Sequence, residues 1–118
     1  MVVVVDDTLP IVHLLCTVFR HAGFEAVGFT DAKSAMPFIE AHLPNLMVID
    51  YHMPGISGAA LLKWVREQKA LDNSFVIVQS SDASAARLIP KAKRTVFVSK
   101  CHADWLDLPK VARRLLAS

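Results

Sequence analysis

Asp6, Asp7, Asp50, Ser80, Ser81 and Lys100 share one trait: each stands at or just past the end of a short apolar run. Asp6 and Asp7 follow Val2-Val3-Val4-Val5, and Asp50 follows Leu46-Met47-Val48-Ile49. Ser80 and Ser81 come after Phe75–Val78 with Gln79 between, and Lys100 comes after Thr95–Val98 with Ser99 between. Carboxylates gathered in one place repel each other unless a cation stands among them. Mg²⁺ fits such a cluster, because it takes oxygen ligands, keeps several waters and binds phosphate oxygens. A carboxylate can also act as a nucleophile toward a phosphoryl group and form an aspartyl-phosphate. That transfer needs in-line positioning and charge neutralisation. Mg²⁺, the Lys100 ammonium and the Ser80 hydroxyl can supply the second. Singly, these residues have duller explanations: Asp7 as a helix cap, Lys100 as a solvated side chain. The whole set at the ends of successive apolar runs points to phosphoryl chemistry.

The elements that would position these residues alternate along the chain. Val2–Val5 is a continuous β-branched run, as in a strand buried on both faces. Pro10 suits the first turn of a helix, and Leu14, Leu15, Val18, Phe19 and Ala22 give it an apolar stripe ending at Gly23. Phe24–Phe29 reads as a second strand. Thr30 or Asp31 caps a helix running to about Leu43, and Pro37 within it predicts a kink or a late start. Leu46–Ile49 is the third strand, Tyr51–Gly58 a loop, and Ala59–Lys69 a helix with Leu61, Leu62 and Val65 inward. Phe75–Val78 is the fourth strand, and Ser84–Ile89 a short or irregular fourth helix, because Pro90 follows. Thr95–Val98 is the fifth strand, and Asp104–Leu116 the last helix, with Leu108, Val111, Ala112 and Leu115 on one side. Strands separated by single helices require parallel pairing through right-handed crossovers. The expected fold is therefore α/β, a doubly wound five-stranded parallel sheet with helices on both faces. In such a sheet, function collects beyond the carboxyl ends of the strands.

Composition narrows the class further. A length of 118 residues suits one domain, 1–118, and an apolar fraction of 53% excludes disorder. No segment reads as a membrane span or a secretory signal, and Cys16 and Cys101 read as reduced thiols, so the expected compartment is the cytoplasm. A net charge of +2 is too small to imply a nucleic-acid binder. Its distribution is uneven: residues 1–82 carry five basic and nine acidic side chains, residues 83–118 eight basic and two acidic. A solvated basic face accounts for this, and the functional reading is a docking face over residues 87–114 for an acidic partner. His13, His21 and His42 lack metal-ligand spacing and read as surface residues. Trp64 and Trp105 read as core or rim packing, and Cys16 as a buried small hydrophobe.

Val-Val-Asp6-Asp7, Val-Ile-Asp50-Tyr-His-Met-Pro54-Gly55-Ile-Ser-Gly58, Ser80 and Phe97-Val-Ser-Lys100 together resemble the motifs of response-regulator receiver domains of the chemotaxis-regulator type. The resemblance runs in order along essentially the whole chain, and Asp50–Gly58 is its most specific part. It implies the flavodoxin-like strand order 2-1-3-4-5 and a place in two-component signalling. Asp50 would be the phosphoacceptor, charged by a histidine kinase or a histidine phosphotransfer protein, and an unnamed downstream protein would read the result. Asp6 and Asp7 would be the acidic pair holding Mg²⁺, with Asp7 a direct ligand beside Asp50 and the backbone carbonyl of His52. Ser80 would be the switch hydroxyl, Lys100 the phosphoryl partner, and Phe97 the aromatic that changes rotamer. Such a domain catalyses its own phosphorylation and dephosphorylation without being a turnover enzyme, and it does not itself bind DNA or membrane. His52, two residues after Asp50, reads either as an exposed loop residue or as a tuner of hydrolysis together with Asp82.

Three departures from the family pattern bear on the output face. Cys101 and His102 follow the lysine where the family usually has proline, Ser81 follows the switch hydroxyl, and the stretch from Ser80 to Lys100 looks short. A cis peptide costs about 0.5–1 kcal/mol before proline and about 2.5–4 kcal/mol before other residues. A trans Lys100–Cys101 bond and an altered start to the last helix are therefore expected. An alternative reading is a degenerate receiver acting as a phosphorylation-independent interaction module. A haloacid-dehalogenase-like phosphatase would need a second Asp where Thr8 stands, and a dinucleotide-binding fold would need a glycine-rich loop after the first strand.

Overall fold

A computed structural model describes residues 1–89 and 94–117. The elements in chain order are β1 (Val2–Val5), α1 (Leu9–His21), β2 (Ala26–Phe29), α2 (Ala32–His42), β3 (Leu46–Asp50), α3 (Gly58–Glu67), β4 (Phe75–Ser80), β5 (Thr95–Ser99) and α4 (Leu108–Ala117). Short 3₁₀ segments occupy Lys69–Leu71, Ala83–Leu88 and Ala103–Asp107. All five strands pair in parallel in the order β2-β1-β3-β4-β5, as expected.

Alternation along each strand divides the core in two. Val3, Val5, Met47, Ile49, Val76 and Val78 face α2 and α3. Val2, Val4, Leu46, Val48 and Ile77 face α1 and α4, through Val12, Phe19, Leu108 and Ala112. Because both faces are covered, the strands read as unbroken apolar runs.

Several boundaries differ from the sequence reading, each for a physical reason. The buried stripe of α1 is Val12, Leu15, Cys16 and Phe19, while Leu14 is exposed. The spacing of the buried set follows one helical face, and Leu14 lies off it. The second strand begins at Ala26, because the N–H of Phe24 is taken by the carbonyl of Phe19. Asp31 supplies the cap of α2 by accepting from the Ser34 N–H at 2.7 Å, and the helix starts at Ala32 and runs through Pro37 rather than after it. α3 ends at Glu67, and Lys69 falls in the following 3₁₀ turn.

The fourth helix is a 3₁₀ segment, Ala83–Leu88, in line with the expectation that it is short or irregular; Pro90 lies outside the described residues. The last α-helix begins at Leu108 rather than Asp104. Pro109 is the second residue of α4, where a missing N–H breaks no helical bond, and the chain just upstream winds as 3₁₀. There is no cis peptide among the described residues, and the Lys100–Cys101 bond is trans as expected. His13, His21 and His42 are exposed, Cys16 is buried, and both cysteines are free.

Candidate functional site

Strand register brings the polar strand ends together. Val5 stands beside Ile49, so the next residues, Asp6 and Asp50, meet at the carboxyl edge of adjacent parallel strands. Asp50 is level with Gln79, and Ser80 is level with Ser99, which places Lys100 at the same edge. The loop after Asp50 folds back through the Gly58 N–H to the Tyr51 carbonyl at 3.0 Å. Gly55 takes φ +73° in this turn, a conformation that suits glycine. At Gly58 a Cβ would lie 2.0 Å from the Asp50 carbonyl oxygen, so only glycine lets the start of α3 sit this close to β3. Ser57 caps α3 by accepting from the Ala60 N–H at 3.1 Å.

Asp6, Asp7 and Asp50 each present a carboxylate oxygen within 4.8 Å of the others. Asp6 is completely buried, Asp50 is 6% exposed, and Asp7 is open to solvent. Asp7 does not cap α1, whose N-cap residue is Thr8. Asp6 is fully engaged: Oδ1 accepts from the Thr8 N–H at 2.9 Å, and Oδ2 accepts from Gln79 Nε2 and Lys100 Nζ, both at 2.9 Å. Lys100 Nζ also lies 3.3 Å from Asp50 Oδ1.

Burial pushes the Asp50 carboxyl up to about 6, with repulsion from Asp6 adding and Lys100 opposing. Burial pulls Lys100 down, but its hydrogen bond to Asp6 and attraction to both carboxylates hold it above its ordinary value. Asp50 is thus a carboxylate at neutral pH, poorly solvated and held in place by an ammonium. That is the condition of a carboxylate nucleophile.

Ser80 is buried at the end of β4, and its Oγ accepts from the Asp82 N–H at 3.0 Å. Asp82 bonds Ser84, which lowers its carboxyl below the usual range, and its Oδ2 lies 3.9 Å from His52 Nε2. His52 and Asp82 are both exposed, so their pairing is weak. Phe97 is half-buried and packs against the α2–α3 side of the core. Among the described residues, the structure therefore gathers Asp6, Asp7, Asp50 and Lys100 tightly, sets Ser80 at the adjoining strand end, and leaves His52 and Asp82 at the rim.

Gln79 is the participant that residue-by-residue reading passed over. It is fully buried, its amide N–H binds Asp6, and its Oε1 accepts from Trp105 Nε1 at 2.5 Å. The available signal was its position as the one polar interruption between Val78 and Ser80. Trp105 packs against the α1–α4 side of the core, as its rim-packing reading expected, and carries this bond besides.

The donor set suits Mg²⁺. It is all oxygen, strongly anionic, and has one member, Asp7, facing water, so an ion could keep part of its hydration shell.

Comparison with known proteins agrees with this geometry. A sequence model of the "Response regulator receiver domain" family matches residues 2–105. Regulatory protein VanRc of Enterococcus gallinarum is 38% identical over 66 residues, which cover 56% of this chain and 29% of VanRc. Protein Rrf1 of Nitratidesulfovibrio vulgaris is 26% identical over 95 residues, covering 80% of this chain and 69% of Rrf1. This chain thus spans less than a third of VanRc's length. The crystal structure of a response regulator from Chloroflexus aurantiacus superposes with a TM-score of 0.86 at 25% identity, covering 99% of this chain and 97% of that one. With the parallel sheet, the acidic strand ends and the lysine all in place, the chain belongs to the response regulator receiver domain family.

Proposed function

We propose that Asp50 accepts a phosphoryl group from a histidine kinase or a histidine phosphotransfer protein, and that the change is read at a protein-interaction face. One observation carries this reading: three carboxylates converge within 4.8 Å while Lys100 Nζ stands 3.3 Å from Asp50 Oδ1.

In the transfer, an oxygen of the Asp50 carboxylate forms a bond to phosphorus as the bond from phosphorus to the donor's imidazole nitrogen breaks. The electron pair of that bond leaves with the imidazole, and the product is an acyl phosphate on Asp50. Lys100 neutralises charge gathering on the phosphoryl oxygens, and the Ser80 hydroxyl lies on the adjoining strand end to bond another. Asp7, Asp50 and the backbone carbonyl of His52 would hold Mg²⁺, with Asp6 behind them. When bound, the ion would offset the repulsion among the carboxylates and the incoming phosphoryl group. His52 and Asp82 flank the site at its solvent side, and they tune how readily water reaches the acyl phosphate.

The basic surface of the last third is a docking face for an acidic protein partner rather than for DNA. Of its members, Arg94 lies over the Phe75 ring and Arg113 binds the Ala22 carbonyl, while Lys91 and Lys93 fall outside the described residues. Among the described residues no helix is long and apolar enough to cross a membrane.

The test is intact-mass measurement after incubation with Mg²⁺ and acetyl phosphate. The wild-type chain gains one phosphoryl group and Asp50→Asn gains none. Labelling of Asp50→Asn overturns the assignment, and failure of the wild type to label overturns the reading. For the surface, a gel shift showing tight, sequence-selective duplex binding by this domain would contradict the protein-partner assignment.

A further inference from the structure

A fully buried amide next to the carboxyl end of a central strand requires explanation. Alternation places Gln79 on the same sheet face as Ile77, toward α1 and α4, where its neighbours are hydrocarbon. An unpartnered amide there would cost about 1–3 kcal/mol. Gln79 escapes this cost through two partners on opposite sides. Its Nε2 gives a proton to Asp6 Oδ2 and its Oε1 receives one from Trp105 Nε1. Asp6 Oδ2 is the same oxygen that holds Lys100 Nζ. A continuous hydrogen-bonded chain therefore runs from Lys100 through Asp6 and Gln79 to Trp105. Trp105 sits in the 3₁₀ segment Ala103–Asp107, which is built from residues with no buried member and leads directly into α4.

We infer that Gln79 is a positioning residue for the acidic pair and couples the state of that pair to the start of the last helix through Trp105. The inference rests on the proposed reading of the site as a cation-dependent phosphoryl acceptor. Asp6 Oδ2 has to serve two donors. Anything that draws on this carboxylate, or draws Lys100 away from it, changes how strongly it accepts from Gln79. The amide then adjusts as a unit, because its nitrogen and oxygen share one plane, and Trp105 feels the movement at its indole N–H. The 3₁₀ segment is placed to respond, since among its described residues Trp105 is the one packed against the core cluster. The route is distinct from Phe97, which packs on the opposite face of the sheet.

The experiment uses the full chain with Trp64→Phe, so that Trp105 is the sole indole. Mg²⁺ alone is titrated, with binding followed by calorimetry and Trp105 by its emission. In this parent, emission should shift and saturate in step with the heat. Gln79→Leu, which keeps the volume and removes both bonds, should bind Mg²⁺ about tenfold or more weakly, the usual effect of losing a partner behind a ligating carboxylate. Its Trp105 emission should stay constant through the titration.

Trp105→Phe keeps a ring and removes only the N–H donor, and by calorimetry it should weaken Mg²⁺ binding less than Gln79→Leu does. It covers the case in which Gln79→Leu fails to fold. Unaltered Mg²⁺ affinity in Trp105→Phe, or a parent that binds Mg²⁺ while Trp105 emission stays constant, overturns the coupling and leaves the site reading intact. A parent that binds no Mg²⁺ by calorimetry overturns the site reading and the inference with it.

Discussion

Along the carboxyl edge of the sheet, the β1–β3 part and the β4–β5–α4 part are built in different ways. At the first, Asp6 and Asp50 sit on neighbouring strands whose register leaves them no other place, and Gly58 seals the loop against β3 with no room for a Cβ. At the second, the connections are 3₁₀ turns, Ala83–Leu88 and Ala103–Asp107, with exposed leucines at 88 and 106 and with Cys101 where proline is usual. The first edge is over-determined by the sheet. The second is held by individual contacts such as Trp105 to Gln79 and the Cys101 N–H to Ser99 Oγ. The two are joined at few points, through Lys100 to Asp6 and Asp50 and through Gln79 to Asp6, so a change in a turn of the second can reach the first only along those bonds among the described residues.

The largest expected effect lies at the carboxylates of the first edge, on the lysine that β5 brings to them from the second. Lys100→Met should abolish labelling by acetyl phosphate, as Asp50→Asn does, because the charge beside Asp50 Oδ1 is lost. Labelling at the wild-type rate, read by intact mass against time, would mean that this edge is less tightly constrained than its geometry indicates.

Stability provides the next contrast. Gly58→Ala should lower the unfolding free energy by roughly 2–4 kcal/mol, since its methyl meets backbone that cannot yield cheaply. Leu106→Ala, at a position 75% exposed, should change it by less than about 0.5 kcal/mol. Urea titrations of both variants decide the matter, and equal effects would erase the distinction between the edges.

A pH dependence sharpens it further. The Asp50 carboxyl stands at about 6 in the folded chain against 3.8 ordinarily, so the folded state binds the proton more tightly than the unfolded state. Its favourable contribution is complete below about pH 4 and is lost as pH rises to about 6. Without divalent ions, Asp50→Asn should therefore be more stable than wild type at pH 8 by roughly 1–3 kcal/mol, with the gap closing near pH 4. A mutant less stable than wild type at pH 8 would show that Lys100, rather than burial and Asp6, dominates the environment of Asp50.

The smallest effect belongs to the rim. His52→Ala should leave the extent of labelling unchanged and alter only the rate of phosphoryl loss, since the pairing with Asp82 is long and exposed. A loss of labelling would move His52 from the rim into the site.

The strand order of the sheet came with the family resemblance, while the order of elements and the positions of Asp6, Asp7, Asp50 and Lys100 were legible in the chain itself. They depend on short-range signals: apolar runs, the residue that ends each run, and turn residues between them. A cap at Thr30 or Asp31, which the structure assigns to Asp31, and the short fourth helix were legible for the same reason. Leu14 was misplaced because an apolar residue beside a stripe looks like one within it until the helix is packed. The late start of α4 was written in Pro109, a residue suited to the first turn of a helix, and the sequence reading passed over it.

What the tertiary structure alone decided is the linkage of Gln79 to Asp6 and Trp105, residues separated by 73 and 26 positions. A side-chain hydrogen bond over such a span leaves no periodic trace in the sequence. It exists because parallel register and sheet alternation bring one strand's polar residue between a buried carboxylate and an indole from another element.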